Sequence, residues 1–301
     1  MPRRRRRPPQ EFIADITVTD DGIRPVRDAH DWTRNKLGIL ASYLSSYARA
    51  CTSAGAFYFV DAMAGPGLCH IAETGEYLLG STLIAARTSP PFEGILALDL
   101  APANAEALRT RAANIGSRAI IHGADANRDL LPLMERYIPK TSPSFVLLDP
   151  EGAELEWATV RAIADFRQPR WPGAQRLKAE MLILFPTEGM NRMLPVEADI
   201  ALHNEMRLNQ FFPPQSHWRE TWERRRSGEI TPAEARERYV EGYKSGLDAL
   251  GYRSVLSRSI ERPGGGVVYH LVFATDHPAG ETIMDDVFGH MNPNQPQQRL
   301  F

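Results

Sequence analysis

The feature that most constrains the fold of this chain is a unit that repeats along it. Each unit is a short apolar run, then an acidic or polar residue, then a helical segment. Strands and helices in strict alternation are typical of a parallel sheet with helices on both faces. The runs are rich in β-branched and aromatic residues, as buried strands are. They cover residues 57–61, 94–100, 119–122, 145–149 and 181–185.

The alternation stops after Pro186. Residues from about 190 to 250 have a helical pattern rich in Arg, Glu and Trp. Two further runs, residues 253–260 and 267–274, are joined by a glycine-rich turn, which predicts a hairpin. We therefore predict an α/β fold with a mostly parallel, seven-stranded sheet, a C-terminal β-hairpin and a helical insertion at about 190–250. We expect this insertion to cover the active site.

The two ends of the chain differ from its middle. Residues 1–28 begin with five consecutive arginines, Arg3 to Arg7, and we predict a basic, disordered arm there. Five arginines can bind nucleic acid electrostatically, but they can equally form a solvated tail. The net charge of −2 then leaves the rest of the chain acidic. We expect one domain over residues 29–290 and a polar tail over residues 291–301.

Composition excludes several classes of protein. No apolar run reaches the roughly 18 residues that a membrane-spanning helix needs. The only cysteines, Cys51 and Cys69, are too few for a disulfide framework or a four-thiolate metal site. The eight histidines show no metal-ligand spacing. The motifs of P-loop nucleotidases, G-x-S-x-G hydrolases and zinc proteases are absent. Because no apolar segment follows the basic start, we expect a cytoplasmic protein without a secretory signal.

Three loops that follow strands carry residues suited to a nucleoside ligand. The first, residues 61–67, joins an acid that can hold an ammonium to two glycines that let a ligand approach the backbone. The acid after the second strand can accept from ribose hydroxyls, and the acid after the third can meet an adenine amino group. Asp61 and Asp99 are too far apart for a nicotinamide-binding unit. An N-cap is the alternative role for each acid. The predicted cofactor-binding residues are Asp61, Ala62, Ala64, Gly65, Pro66, Gly67, Asp99, Leu100, Asp125 and Ala126.

The fourth strand ends in Asp149 and Pro150, which we predict to be the catalytic residues. A side-chain oxygen and a backbone carbonyl there could accept the hydrogens of an amine and so aim its lone pair. A plain turn is the alternative, since Asp-Pro is common in turns. A seven-stranded sheet with these loops resembles the class I methyltransferases that use S-adenosylmethionine, which implies that compound as the cofactor.

Over residues 30–290 the sequence also resembles the three-Cys-motif partner proteins (TcmP). The matching segments are WTRNKLGIL at 32–40, VDAMAGPG at 60–67, GS at 80–81, LDPEG at 148–152, NR at 191–192 and FAT at 273–275. The resemblance implies a methyltransferase-like fold and a partner, encoded nearby, that carries three motif cysteines. On these segments we expect Lys36, Ser81, Glu151 and Arg192 to contact the substrate.

Three functions remain open at this stage, of which the weakest is a methyltransferase that acts on a small molecule or a protein. The first is methylation of a nitrogen of a nucleic acid, RNA more than DNA. The second is a binding or scaffold protein that keeps the fold and serves the three-Cys partner. Glu151 fits the second, because the family usually has an aromatic residue there that could stack on a base. Arginines beside Trp218 and Trp222 could grip a nucleic acid, or form a solvated helix face whose Trp rings pack inward.

Overall fold

The computed structural model describes residues 16–196 and 203–290 of the chain. The predicted C-terminal tail, the arginine run and part of the insertion lie outside the described residues. The described strands are β1 (Thr17–Val18), β2 (Arg27–Ala29), β3 (Tyr58–Asp61), β4 (Leu68–Ile71), β5 (Tyr77–Leu79), β6 (Gly94–Asp99), β7 (Ile120–Gly123), β8 (Ser144–Leu148), β9 (Glu180–Phe185), β10 (Ser254–Glu261) and β11 (Val267–Thr275).

The helices lie between and after these strands. They are α1 (Asp31–Cys51), α2 (Ser81–Ala86), α3 (Pro102–Asn114), α4 (Ala126–Tyr137), α5 (Trp157–Phe166), α6 (Thr187–Met193), α7 (Glu205–Phe211), α8 (Trp218–Arg226), α9 (Pro232–Ala249) and α10 (Pro278–His290). Helix α9 begins with a capping box, in which Thr231 and Glu234 each bond the other's backbone N–H. No helix among the described residues is long and apolar enough to cross a membrane.

Seven strands form the main sheet, in the order β10-β11-β9-β8-β3-β6-β7. Strands β9, β8, β3, β6 and β7 are parallel to their neighbours in that series. Strand β11 is antiparallel to both β9 and β10, so the predicted hairpin closes one side of the sheet. The predicted α/β fold with a mostly parallel seven-stranded sheet is confirmed.

The strand order reverses at β3, which has β6 on one side and β8 on the other. In open α/β sheets, ligands bind at the carboxyl ends of the strands where the order reverses. The crevice between the ends of β3 and β8 is therefore the position that the topology favours for a site.

Alternate residues of each strand face opposite sides of the sheet and build two cores. Phe59 packs in one core with α1, α2, α3 and α10, and its neighbour Val60 packs in the other with α4, α5 and α7 to α9. Because both faces are covered, the central strands are apolar on both sides. This is why they read in the sequence as continuous apolar runs.

A second, smaller sheet was not predicted. It has four strands in the order β1-β5-β4-β2 and uses residues on both sides of α1. Its strands are two to four residues long and pair across distant parts of the chain, so no local sequence pattern predicts them. The prediction that the arm extends over residues 1–28 is corrected here, because residues 16–28 belong to this sheet and its approach segment.

A buried arginine attaches that approach segment to the domain. Arg111 on α3 is 3% exposed. Its guanidinium donates to the Asp21 carboxylate at 2.8 and 3.0 Å and to the carbonyls of Ile23 and Pro25 at 2.6 and 2.9 Å. It also donates to the carbonyl of Pro66 at 2.7 Å, in the glycine loop. One side chain therefore ties the segment before β2 to the loop after β3.

The insertion is helical, as predicted, but its position differs from the expectation. Helices α7, α8 and α9 pack on a face of the sheet, where Tyr243 contacts Phe185 with ring centroids 5.4 Å apart. Trp218 and Trp222 are buried in this core, and the Trp222 indole donates to the carbonyl of Pro195 at 2.7 Å. Apolar burial places these rings inward, so they are not a stacking surface for nucleic acid.

Candidate active site

Acidic residues follow four neighbouring strands at the carboxyl edge of the main sheet. Asp61 ends β3, Asp99 ends β6, Asp149 directly follows β8, and Asp125 lies two residues after β7. The sheet therefore places the predicted acids side by side across the point where the strand order reverses.

Asp61 is fully buried, and its contacts lie within the domain. One carboxylate oxygen, Oδ2, accepts from the hydroxyls of Ser81 at 2.5 Å and Thr82 at 2.7 Å. The other, Oδ1, is buried and has no hydrogen-bond partner among the described residues. Burial raises the pKa of Asp61 to about 6, although the two hydroxyls lower it. Asp61 thus anchors the first turn of α2, and the Ser81 hydroxyl, predicted to contact substrate, is committed to it.

The glycine loop has the backbone that its residues predict. Gly65 and Gly67 have φ angles of 64° and 87°, which lie in the left-handed region that glycine adopts without strain. Gly67 also packs tightly, because a Cβ there would lie 2.6 Å from Leu108 Cδ1. The N–H groups of Ala62 and Ala64 donate to the carbonyls of Leu147 and Leu98, on the strands either side of β3. The loop therefore stays attached to the sheet at its start and turns sharply at its end.

Asp99 connects the glycine loop to the start of α3. Its Oδ2 accepts from the backbone N–H of Gly65 at 2.8 Å. Its Oδ1 accepts from the N–H of Ala101 at 2.9 Å and from the Asn104 amide at 3.0 Å. A carboxylate oxygen has more than one lone pair, so Oδ2 keeps acceptor capacity for a ligand hydroxyl. The next residue, Leu100, is 71% exposed and presents an apolar side chain beside it.

Asp125 caps a helix, which is the alternative role that the sequence left open for each acid. It is the N-cap of α4, and its Oδ1 accepts from the N–H of Asn127 at 2.8 Å. Ala126, the first residue of the helix, is buried. Asn127 joins this helix to the loop after β8, because its side chain donates to the Glu154 carbonyl and accepts from the Glu156 N–H.

Asp149 forms an ion pair with Lys36 of α1. The Lys36 Nζ donates to Asp149 Oδ2 at 2.6 Å, and the two side chains are only 15% and 16% exposed. Among the described residues, Oδ1 of Asp149 has no hydrogen-bond partner. The helix therefore holds one oxygen of the predicted catalytic carboxylate and leaves the other for a further contact. Pro150 is buried directly after it.

The next residue, Glu151, forms a more exposed pair with Arg27. The Arg27 Nη2 donates to Glu151 Oε1 at 2.7 Å, and the carboxylate side chain is 77% exposed. Burial opposes the charge of Arg27, but the carboxylates of Asp149 and Glu151 outweigh it and raise the pKa of Arg27. Arg27 comes from β2 of the small sheet, and its Nη1 lies 4.0 Å from where a Cβ on Gly65 would be. A guanidinium thus lies between the glycine loop and the Asp-Pro loop.

The Asp-Pro loop is held by its own backbone contacts. The Glu154 carboxylate accepts from the N–H groups of Glu151 and Gly152, the latter at 2.7 Å. Helix α6 packs closely against the loop, because a Cβ on Gly189 would lie 2.9 Å from the Glu151 carbonyl oxygen. Helix α6, which begins just before the predicted insertion, therefore borders this edge.

Arg192 was also predicted to contact substrate. It lies on α6, is 70% exposed, and has its Nη1 3.6 Å from the Glu188 carboxylate. Glu188 also pairs with Arg262 of the hairpin. Arg192 thus lies on the helix that borders the Asp-Pro loop, with its side chain in solvent.

Sequence reasoning missed three residues of this edge: Arg27, Asn127 and Glu154. A local pattern could have indicated the role of Glu154, since an acid three residues after Glu151 can accept from the N–H groups of a turn. Asn127 carried a weaker one, as a polar residue in the first turn after Asp125. Arg27 carried none, because its position depends on the small sheet that brings β2 beside β4.

The whole edge combines an exposed apolar residue, available carboxylate oxygens and two cations. A ligand here could donate hydrogen bonds to Asp99 and Asp149 and offer a negative group to Arg27. The site therefore suits a molecule that carries both donors and a charge, next to a second molecule with an N–H group.

Comparisons with known proteins give structural likeness only. The sequence matches no family model, and it matches no curated protein. A Legionella pneumophila protein aligns with a TM-score of 0.45 at 11% identity, covering 85% of this chain and 93% of that one. A Bacillus cereus O-methyltransferase in complex with SAH has a TM-score of 0.45 at 13% identity, with 88% and 96% coverage. Trm1 from Pyrococcus horikoshii with S-adenosyl-L-methionine has a TM-score of 0.42 at 13% identity, with 90% and 61% coverage.

The class of fold rests on the sheet itself. An open, mostly parallel seven-stranded sheet with helices on both faces and a strand-order reversal at β3 defines a Rossmann-like α/β domain.

Proposed function

We propose that this protein is a methyltransferase that uses S-adenosylmethionine. The observation that supports this most is the convergence of Asp61, Asp99, Asp125 and Asp149 at the reversal of strand order, around a left-handed glycine loop. A single acid at a strand end is a common N-cap. Four in consecutive positions across the sheet, together with a backbone that can approach a ligand closely, favour a nucleoside site.

The residues present fit that cofactor. Asp99 Oδ2 can accept from a ribose hydroxyl, and the exposed Leu100 can pack on a flat heterocycle. Arg27 offers a guanidinium to a carboxylate, and Gly65 leaves the backbone open below it. The buried Asp61 Oδ1 lacks a partner among the described residues and keeps its capacity to accept a hydrogen bond. When bound, S-adenosylmethionine supplies a methyl group on a sulfonium that a nucleophile can take.

The acceptor side centres on Asp149. Lys36 fixes Oδ2, which leaves Oδ1 to accept a hydrogen bond from an N–H group of the acceptor. A carboxylate held in this way orients the nitrogen lone pair, and orientation alone can supply a large part of a rate enhancement. We therefore propose a nitrogen as the methylated atom.

For the substrate class we propose a nucleic acid, RNA more than DNA. Two cations, Arg27 and Lys36, lie at the acceptor loop, and Arg3 to Arg7 add positive charge at the start of the chain. Phosphate contacts by arginine and lysine provide most of the affinity for nucleic acid. The buried Trp218 and Trp222 take no part in this proposal.

A second candidate function is a scaffold that serves a three-Cys-motif partner. It is favoured by the two ion pairs over the acceptor loop, Lys36–Asp149 at 2.6 Å and Arg27–Glu151 at 2.7 Å. The carboxylates of Asp149 and Glu151 are already matched by cations of the chain.

Calorimetric titration of S-adenosylmethionine and S-adenosylhomocysteine into the full chain tests the proposal. We expect micromolar binding of both, weakened at least about tenfold in Asp99→Asn, which keeps the shape but loses the charge. Asp165→Asn is the matched control, because Asp165 is exposed and pairs with Arg176 at the other edge of the sheet. No binding by the folded chain would overturn the methyltransferase proposal and favour the scaffold.

A further inference from the structure

A cavity lies at the amino edge of the main sheet, opposite the candidate active site. Its volume is about 370 Å³, and it is lined by the first residues of two strands, Ser144 of β8 and Glu180 of β9. Other walls come from α1, through Tyr43 and Tyr47, and from the segment after α5. A cavity of this size lies at the lower end of the range for small-molecule sites, roughly 300–1,000 Å³.

Three buried polar atoms of this lining have no hydrogen-bond partner within the described ranges. They are the Tyr47 hydroxyl, the Ser144 hydroxyl and Nε of Arg167. Tyr47 and Ser144 are 4% and 1% exposed. Buried polar groups are nearly always satisfied, since leaving one unpaired costs free energy. A group that supplies acceptors here would complete them.

The guanidinium of Arg167 points to the charge of that group. It donates only to two backbone carbonyls, those of Lys178 and Thr141, each at 3.3 Å. In the described part of the chain, no carboxylate oxygen makes an ion pair with it. Burial lowers the pKa of Arg167, although the nearby carboxylates of Glu180 and Asp276 raise it. A half-buried cation of this kind is stabilised by an anion.

The other charges of the cavity leave room for an anion. Glu180 accepts hydrogen bonds from the Tyr43 hydroxyl and from Thr275 at 2.8 Å, so its oxygens are committed to the wall of the cavity. Lys178 is paired with Asp276 at 3.1 Å. Two lining arginines, Arg167 and the exposed Arg170, form no ion pair among the described residues, and Arg167 is the more enclosed of the two.

The remaining walls are aromatic and aliphatic. Tyr43 and Tyr47 line the inner side, and Leu177 and Ile283 contribute aliphatic surface. Trp171 also lines the cavity and is 61% exposed, one of the few large apolar side chains of the described residues that lie in solvent. An exposed indole at the rim of a cavity is a surface that a flat ligand could cover.

We propose that this cavity binds a small aromatic carboxylate, with its carboxylate on Arg167 and its ring between Tyr47 and Trp171. The carboxylate supplies the anion that the Arg167 guanidinium lacks. The ring covers the apolar walls. The site is separate from the acids at the carboxyl edge, so this proposal stands whether or not the chain transfers methyl groups.

The test uses calorimetric titration of 2-naphthoate into the full chain, with 2-naphthamide as the neutral analogue of the same shape. We expect submillimolar binding of the acid and at least about tenfold weaker binding of the amide. Arg167→Gln should weaken the binding of 2-naphthoate by a similar factor. Arg161 is an exposed arginine of α5 that does not line the cavity, so Arg161→Gln should leave the binding of 2-naphthoate unchanged.

A second variant keeps the proposal testable if Arg167→Gln does not fold. Ala174→Phe adds a ring at the wall of the cavity and should abolish binding of 2-naphthoate, with an unchanged circular dichroism spectrum. Equal binding of acid and amide would overturn the proposal. So would binding that survives Ala174→Phe, or absence of binding by the intact chain at millimolar acid.

Discussion

At the scale of single residues, two fully or nearly fully buried carboxylates at opposite edges of the sheet distinguish this domain. Asp61 anchors the first turn of α2, and Glu180 lies at the cavity of the amino edge. Burial raises the pKa of Asp61 to about 6 and that of Glu180 to about 7, although hydroxyl donors lower both. Each carboxyl therefore holds its proton more tightly in the folded chain than in the unfolded chain.

The first prediction concerns the pH dependence of stability. A group whose pKa is raised by folding stabilises the fold below its unfolded value and loses that contribution as pH rises through its folded value. The free energy of unfolding should therefore fall between about pH 4.5 and about pH 7 as Glu180 ionises. One pKa unit corresponds to about 1.4 kcal/mol.

Urea denaturation of Glu180→Gln across this range checks the prediction. The variant cannot ionise, so its curve of stability against pH should be flatter than that of the wild type. Glu135→Gln, an exposed acid paired with Lys140, is the control and should keep the wild-type slope. Parallel curves for Glu180→Gln and wild type would contradict the assignment.

The second prediction concerns the two ion pairs of the acceptor loop. The side chains of Lys36 and Asp149 are 15% and 16% exposed, whereas those of Arg27 and Glu151 are 35% and 77% exposed. Water screens an exposed pair, so Arg27–Glu151 should couple by under about 0.5 kcal/mol. Lys36–Asp149 should couple by at least about 1 kcal/mol, because little water reaches it.

Double-mutant cycles measure both couplings by urea denaturation. One cycle uses Lys36→Met and Asp149→Asn, and the other uses Arg27→Met and Glu151→Gln. Equal coupling energies in the two cycles would mean that the difference in burial has no energetic consequence at this edge.

At the scale of elements, the glycine loop after β3 shows how a turn and a packing contact share one residue. Gly67 combines a φ of 87° with a close approach to Leu108 of α3. Gly80, at the start of α2, donates its N–H to the Gly67 carbonyl at 2.8 Å. The start of α2 and helix α3 therefore both approach Gly67, which has no side chain.

The third prediction follows from this geometry. Gly67→Ala would put a Cβ 2.6 Å from Leu108 Cδ1 and would also strain the backbone. Strain at a positive φ costs about 1–3 kcal/mol, and displacement of Leu108 adds to it. Gly75→Ala is the matched control, because its φ is 72° but no atom lies within 4 Å of the added Cβ. Thermal denaturation should show a larger loss for Gly67→Ala, and equal losses would mean that packing plays no part.

The small sheet shows why elements with short strands escape sequence reasoning. Strand β2 is parallel to β4, and Arg27 lies opposite Cys69 in that pairing. Nothing within residues 16–29 indicates this partner, because the pairing depends on chain segments that are distant in sequence. The central strands were predicted to within a few residues, because their apolar runs are visible in the local sequence.

At the scale of the whole molecule, a run of five arginines precedes a remainder of the chain whose net charge is negative. The five arginines at positions 3–7 contrast with the net charge of −2 for the whole chain. If RNA is the substrate, part of its affinity should come from this run. Each phosphate contact contributes about −0.7 to the slope of log affinity against log salt for single strands.

The fourth prediction is the effect of removing the first ten residues. For a single-stranded RNA, the slope of log affinity against log salt should fall in magnitude by up to about 3.5, the value for five phosphate contacts. Filter binding at several salt concentrations measures it, with a full-length chain carrying five glutamines at these positions as control. An unchanged slope in both variants would show that the run makes no contact with RNA, and no binding by any form would contradict an RNA substrate.

The sequence by itself determined the class of fold and the order of the acids along it. Burial on both faces of a parallel sheet needs continuous apolar runs, and each run here is followed by the loop that reaches the carboxyl edge. The sequence therefore placed Asp61, Asp99, Asp125 and Asp149 on one edge without any coordinates. Their local surroundings, such as the N-cap at Asp125, were among the alternatives that it left open.

Only the tertiary structure decided which cations face those acids. Lys36 meets Asp149 and Arg27 meets Glu151 across 113 and 124 residues of sequence. The cavity at the amino edge has the same origin, since α1, the start of β8 and the segment after α5 each contribute part of its lining. Contacts of this kind depend on how separate elements pack, and no local periodicity or spacing encodes them.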